Sequence, residues 1–274
     1  MTGNPYKRPA VAGSGTIACG LAAAATATAT TVLLARSDAS AGRAEEQTSE
    51  LCVKLEGGDS GRLEVTTDPK AIAGCDLVVE SVIEDPEVKA AFLADLGEAA
   101  PDADLATTTS SLSVAQLGER SGHPGRVFGL HVFNPVPRME LVEVCFPDAV
   151  AGEVRGRARA WCEALGKTAV EVPDQAGFVV NRLLFPYLFD AVRMLERTGM
   201  SPGDVDSCMT MGTGHPMGPL ALLDFVGLDV AEAIGDALHG ETGEAAHRPP
   251  GLLVEMVGTG KLGRKSGNGF FDYD

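Results

Sequence analysis

Gly13-Ser14-Gly15-Thr16-Ile17-Ala18 follows a short apolar run at residues 9–12 and opens a helical stretch of small residues. A strand running into a glycine loop and then a helix is the context in which G-x-G-x-x-G/A binds a dinucleotide. Gly13 permits the tight turn and Gly15 lets backbone approach a pyrophosphate. Small Ala18 allows close helix–strand packing, and the helix amino end offers unpaired N–H groups to an anion. The phosphates are therefore expected on Gly13, Ser14, Gly15, Thr16 and Ile17. The competing reading is a plain glycine turn with no ligand.

Outward from this loop, β-type runs at residues 9–12, 31–35, 63–66, 76–82, 104–107, 127–133 and 168–172 alternate with helical stretches. Leu77-Val78-Val79 and Val32-Leu33-Leu34 are apolar on successive residues, as in parallel strands covered on both faces. Residues 86–99 open with Pro86 and carry Val88, Phe92, Leu93 and Leu96 at helical spacing, which predicts a covering helix. Residues 38–62 are the least informative, with a Gly57-Gly58-Asp59 turn, and are expected to hold a short helix. After Pro173-Asp174-Gln175-Ala176-Gly177 only helical periodicity remains. Leu183, Leu184, Tyr187, Leu188, Ala191 and Leu195 form the stripe of a long buried helix, with shorter helices at 202–211, 220–224, 230–238 and 250–257 and a turn-rich tail at 263–273. The expected fold class is α/β: a Rossmann-type doubly wound sheet over 1–176, followed by a smaller all-helical domain over 177–274.

The 274 residues, 45% hydrophobic and 22% charged, suffice for a large core without staples. The six cysteines form no C-x-x-C pair and have no histidine at zinc spacing, which predicts free thiols, no metal and a reducing compartment. The balance of 22 Lys+Arg against 38 Asp+Glu gives a formal charge of −16, which argues against nucleic acid. The stretch 21–34 is Ala and Thr behind a glycine loop and reads poorly as a membrane span; residues 1–9 lack the apolar core of a secretory signal. A cytoplasmic location is expected.

The end of the second strand bears on the cofactor, because NAD enzymes place Asp or Glu there to bond the ribose 2′-OH. Here the sequence is Leu33-Leu34-Ala35-Arg36-Ser37-Asp38. A guanidinium at Arg36 suits a 2′-phosphate and the Ser37 hydroxyl can add a bond, so NADP is expected, with NAD as the alternative in which Asp38 holds the ribose.

Four polar clusters lie at strand ends or the domain boundary: Thr108-Thr109-Ser110-Ser111, His131 with Asn134-Pro135, Glu143, and Asn181-Arg182. Singly each is weak, since a lone histidine on an apolar strand is more often a satisfied core residue. Together with Leu141-Val142-Glu143-Val144, Gly177-Phe178-Val179-Val180-Asn181-Arg182, Gly214-His215-Pro216-Met217-Gly218-Pro219 and Gly263-Arg264-Lys265-Ser266-Gly267-Asn268-Gly269-Phe270-Phe271, the chain resembles the 3-hydroxyacyl-CoA dehydrogenase family over nearly its full length. The resemblance implies an oxidoreductase moving a hydride between a nicotinamide and a short-chain 3-hydroxyacyl-CoA or its 3-oxo form. His131 would be acid and base, Glu143 its orienting partner, and Ser110 and Asn181 the groups around the reacting and thioester oxygens. Glu84, Lys89, Thr108, Ser110 and Asn134 match positions near the nicotinamide, and a homodimer is implied. Thr108 and Arg36 depart from the family's usual Asn and Asp, and residues 39–62 are shorter than its helical hairpin. That shortening keeps a carrier-protein thioester or a free hydroxy acid open as substrate; a catalytically silent nucleotide-binding protein is the reading from another class.

Overall fold

The computed structural model describes residues 4–273. The chain divides into two compact units, one ending at Gln175 and the other beginning at Ala176.

The first unit runs β1 (Pro9–Ala12), α1 (Thr16–Thr26), β2 (Thr31–Leu34), α2 (Asp38–Lys54), β3 (Leu63–Thr66), β4 (Leu77–Glu80), α3 (Pro86–Ala99), β5 (Asp104–Thr107), α4 (Val114–Arg120), β6 (Val127–Val132), β7 (Leu141–Cys145), α5 (Gly152–Ala164) and β8 (Thr168–Glu171). The strands form one sheet in the order β3-β2-β1-β4-β5-β6-β7-β8. Its first six members are parallel in the 3-2-1-4-5-6 order of a Rossmann fold, which brings the loops after β1 and β4 together where the chain reverses direction across the sheet. Every residue of β1, β2, β4, β5 and β6 is buried, which is why apolar runs such as Val32-Leu33-Leu34 and Leu77-Val78-Val79 occupy successive positions in them. Val11, Leu33, Val79, Phe128, Leu130 and Trp161 belong to the core of this unit.

Two features differ from the sequence-based expectation. The first is β7, an eighth strand, which pairs antiparallel with β6 and parallel with β8. The acid at its centre, Glu143, is as buried as Val142 and Val144 beside it, so the run has neither an apolar nor a half-exposed pattern. The second is α2, which extends 17 residues where a short helix was expected. Its buried face is Ser40, Ala44, Thr48 and Cys52, a helical stripe of small residues, two of them hydroxyl-bearing, that hydropathy does not register. Cys52 Sγ lies 3.4 Å from the Thr26 hydroxyl, which ties α2 to α1.

The second unit is helical: α6 (Val180–Thr198), α7 (Pro202–Thr213), α8 (Pro219–Val226), α9 (Leu228–Thr242) and α10 (Gly251–Gly258). Phe185, Leu188, Phe189 and Val192 of α6 pack with Leu220, Leu223, Leu228, Leu238 and Leu253. Leu183, expected in the buried stripe, is instead 71% exposed, because Phe185 and Phe189 carry the inward face. The tail is fixed by Asp224, whose carboxylate accepts the Phe270 and Phe271 N–H groups at 2.9 Å and the Tyr273 hydroxyl at 3.0 Å.

Candidate active site

The glycine loop is wedged between two strand ends. Gly13 has φ +152°, and a Cβ there would lie 2.1 Å from the Ser81 carbonyl oxygen just after β4, so only glycine fits. Its N–H donates to the Leu34 carbonyl at 2.9 Å. Gly15 is the N-cap of α1 and offers no side chain to the helix's orphan N–H groups; a Cβ built on it meets nothing within 4 Å. The first turn of α1 carries no acidic residue. This is an anion-binding helix terminus with an open approach.

A cavity of about 690 Å³ covers this loop. Of the residues expected at the cofactor, Gly13, Ser14, Gly15, Thr16, Ile17, Arg36, Glu84, Lys89 and Thr108 line it. Ser37, Ser110 and Asn134 do not. Ser37 is the N-cap of α2: its hydroxyl accepts the Ser40 N–H, and the Ser40 hydroxyl accepts the Ser37 N–H in return. Asp38, the alternative ribose ligand, also stands outside the lining and accepts the Thr67 hydroxyl at 3.3 Å. Arg43, which sequence pattern did not single out, lines the cavity as well; a helix started at Asp38 puts it three residues beyond Ser40.

Below the cavity lies a buried ionic network that the sequence did not announce. Glu80, at the end of β4, accepts Lys89 Nζ at 2.8 and 3.1 Å, the Thr107 hydroxyl at 2.6 Å and the Val82 N–H at 2.7 Å. Both partners of this ion pair are almost wholly buried, so the carboxylate needs every one of these donors. Lys89 also reaches Glu84 at 3.4 Å. Glu84 Oε1 in turn accepts the Thr109 hydroxyl at 2.6 Å, the Ser110 and Ser111 N–H groups at 2.8 and 3.0 Å, and the Ser111 hydroxyl at 2.9 Å. Burial by itself raises the Glu84 carboxyl, but Lys89 and these donors outweigh it and hold the group below the usual range. Ser110 is thus placed by an anion two residues before α3.

On β6 and β7, His131 and Glu143 are direct cross-strand partners, and Nδ1 of the imidazole is 2.7 Å from Glu143 Oε2. Residues opposed in an antiparallel pair present their side chains on one face, so the register itself makes the contact. They are 6% and 2% exposed. The Phe133 ring meets the imidazole edge-on, with centroids 4.6 Å apart. Exposed Asn134 follows, joined to Pro135 by a cis peptide. The connection from β6 to β7 is held from beneath by Lys167, whose ammonium donates to the Val136 and Met139 carbonyls at 2.7 and 2.8 Å. Asn181 is buried in the first turn of α6, in the second unit. No cluster of histidine, cysteine and carboxylate suited to a metal occurs among the described residues.

Residues 9–175 match the sequence profile of the 3-hydroxyacyl-CoA dehydrogenase NAD binding domain, and residues 177–273 match that of the 3-hydroxyacyl-CoA dehydrogenase C-terminal domain. The chain belongs to the 3-hydroxyacyl-CoA dehydrogenase family. A probable 3-hydroxybutyryl-CoA dehydrogenase of Deinococcus radiodurans is 42% identical over 214 residues, 78% of this chain and 77% of the relative. Among solved structures, FadB2 of M. tuberculosis superposes with a TM-score of 0.93 at 36% identity, over 98% of this chain and 99% of that one. The (S)-3-hydroxybutyryl-CoA dehydrogenase PaaH1 of Ralstonia eutropha gives a TM-score of 0.91 at 31% identity, over 98% and 99%. A dehydrogenase of this family needs a nicotinamide dinucleotide, and the first unit fits one: the uncapped terminus of α1, the open side of Gly15 and the adjoining cavity suit its phosphates and nucleoside arms.

Proposed function

We propose that this chain interconverts short-chain 3-hydroxyacyl-CoA and 3-oxoacyl-CoA thioesters with NADP(H), NAD(H) being the alternative cofactor. The buried 2.7 Å contact between His131 and Glu143 carries this reading. The carboxylate at Nδ1 fixes the orientation of the ring and leaves Nε2 to move the proton. In the oxidative direction Nε2 takes the substrate hydroxyl proton; in reduction the imidazolium returns it. The nicotinamide, when bound, supplies the exchange of hydride. Ser110 and Asn181 hold the reacting oxygen and the thioester carbonyl by hydrogen bonds, which orients the carbon for transfer. Glu84, Lys89, Thr108 and Asn134 frame the nicotinamide end.

Consumption of each reduced cofactor with acetoacetyl-CoA, free acetoacetate and an acetoacetyl carrier protein tests the proposal. Turnover with the CoA thioester well above the other two is expected; turnover only with the free acid or the carrier protein would replace the CoA reading.

The NADP assignment is supported by Arg36, which lines the cavity while Asp38 does not. A homodimer through the second unit is supported by apolar side chains exposed on it, Leu183, Met211 and Phe225 among them. A monomeric mass at micromolar concentration in light scattering overturns the dimer. A cytoplasmic location accords with six free cysteines, five of them buried. No described helix is long and apolar enough to cross a membrane.

A further inference from the structure

The geometry points to Arg43 as the second cation of a clamp for the adenosine 2′-phosphate, with Arg36 as the first. The inference rests on the NADP reading and extends it from one residue to a built site on α2.

Arg36 stands between β2 and α2, and Ser37 and Ser40 close the reciprocal cap that fixes where the helix begins. Ser40 and Arg43 are three apart and so share a face of α2. That face is turned to the cavity, because Arg36, Ser40 and Arg43 all line it, together with Thr67 and Pro69 from beyond β3. The cap therefore sets the helical phase that brings a second guanidinium to the same wall.

The charges make the case for an anion. Several other arginines of this unit are engaged: Arg8 with Glu64, Arg120 with Glu87, Arg157 with Asp104, and Arg126 with the carbonyls around residue 100. Arg36 and Arg43 are exposed, and neither forms an ion pair with a carboxylate among the described residues. On a chain of net charge −16, two unpaired guanidiniums facing one cavity are a local reversal of the overall field. They repel each other, and a phosphate monoester carrying close to two negative charges relieves that repulsion while accepting charge-assisted hydrogen bonds from both. A ribose 2′-hydroxyl offers neither benefit.

The test is equilibrium binding to the intact protein, with no turnover involved. Adenosine 2′,5′-bisphosphate and 5′-AMP are titrated calorimetrically, and NADPH and NADH by nicotinamide fluorescence, into wild type, Arg36→Ala, Arg43→Ala and Arg43→Lys. Wild type is expected to favour the 2′-phosphorylated member of each pair. Arg43→Ala is expected to reduce that preference on the order of tenfold, with Arg43→Lys recovering part of it. Retained binding of NADH and 5′-AMP shows that the variant is folded. If wild type discriminates and Arg36→Ala abolishes discrimination while Arg43→Ala leaves it within twofold, Arg43 is not in the clamp and the NADP reading stands. If Arg43→Ala weakens all four ligands equally, its effect is not at the 2′-phosphate and the clamp fails. If wild type binds both members of each pair alike, the NADP reading and the clamp fall together.

Discussion

His131 and Glu143 are almost wholly buried and are set against each other by the register of two hydrogen-bonded strands. Arg36 and Arg43 are exposed, one beyond a strand end and the other on the next helix, and their long side chains extend to the same cavity wall. The two regions differ in how they place a side chain. In the proposed reading proton transfer, which tolerates little error in distance, falls to groups buried on two paired strands. The proposed attraction of a phosphate, which falls off gradually with distance, falls to groups that are exposed and solvated. Damage to the first should be severe, and damage to the second graded.

The sharpest way to break this contrast is His131→Ala. It is expected to lower kcat by about 10²–10⁴ while NADPH affinity moves less than about twofold. Near-wild-type turnover, or a loss that lies in cofactor affinity, would end the assignment. Glu143→Gln retains the shape but not the charge and should lower kcat less than His131→Ala does.

Next is Lys89→Met, which leaves the Glu80 carboxylate buried without its cation. Breaking such a pair costs about 3–5 kcal/mol, on the order of 10 °C in Tm for a unit of this size. Arg36→Ala, on exposed ground, should leave Tm within about 1 °C. Equal shifts by calorimetry would erase the distinction between the two regions.

Arg36→Asp carries a smaller expected effect, a fall of about tenfold or more in the ratio of kcat/KM for NADPH over NADH, since attraction becomes repulsion. An unchanged ratio returns the ribose to Asp38 as the leading candidate. Ser37→Ala should cost about 1 kcal/mol of stability through the lost cap and barely alter cofactor preference.

The smallest effect is in pH. Glu84 is held below the ordinary carboxylate range, so the stability it contributes is complete above about pH 4.3 and is lost as the pH falls through its lower folded value. Wild type and Glu84→Gln should therefore differ in Tm at pH 6 and converge towards pH 3. A constant difference across that range would mean that the carboxylate's charge is not what matters.

What could be seen in the sequence follows the same division. β1, β2, β4 and β5 were legible because parallel strands buried on both faces carry apolar residues at successive positions, as in Val32-Leu33-Leu34 and Leu77-Val78-Val79. β7 was not, because a buried acid interrupts it, and that acid's value lies in a partner twelve residues away. α2 was obscured for a different reason: Ser40, Ala44, Thr48 and Cys52 are small enough to pack closely but too polar to stand out. Arg43 was lost with it. The motifs around His131 and Asn181 supplied the family and the names of the residues, but the His131–Glu143 contact is a matter of register, which no motif states. Glu80 gave no signal at all; an acid at the end of an apolar strand could equally have faced solvent.

Strand β7 has one more consequence. Side chains along a strand alternate between faces, so a slip of one step in its pairing with β6 would turn Glu143 away from His131 and bring Val142 or Val144 in its place. Such a molecule would keep its sheet, its valines and most of its hydrogen bonds, and circular dichroism or gel filtration would scarcely tell it from the native form. If the pair has its proposed role, specific activity becomes a gauge of alignment: after refolding, the ratio of turnover to recovered mass reports how many molecules closed this hairpin on the correct rung.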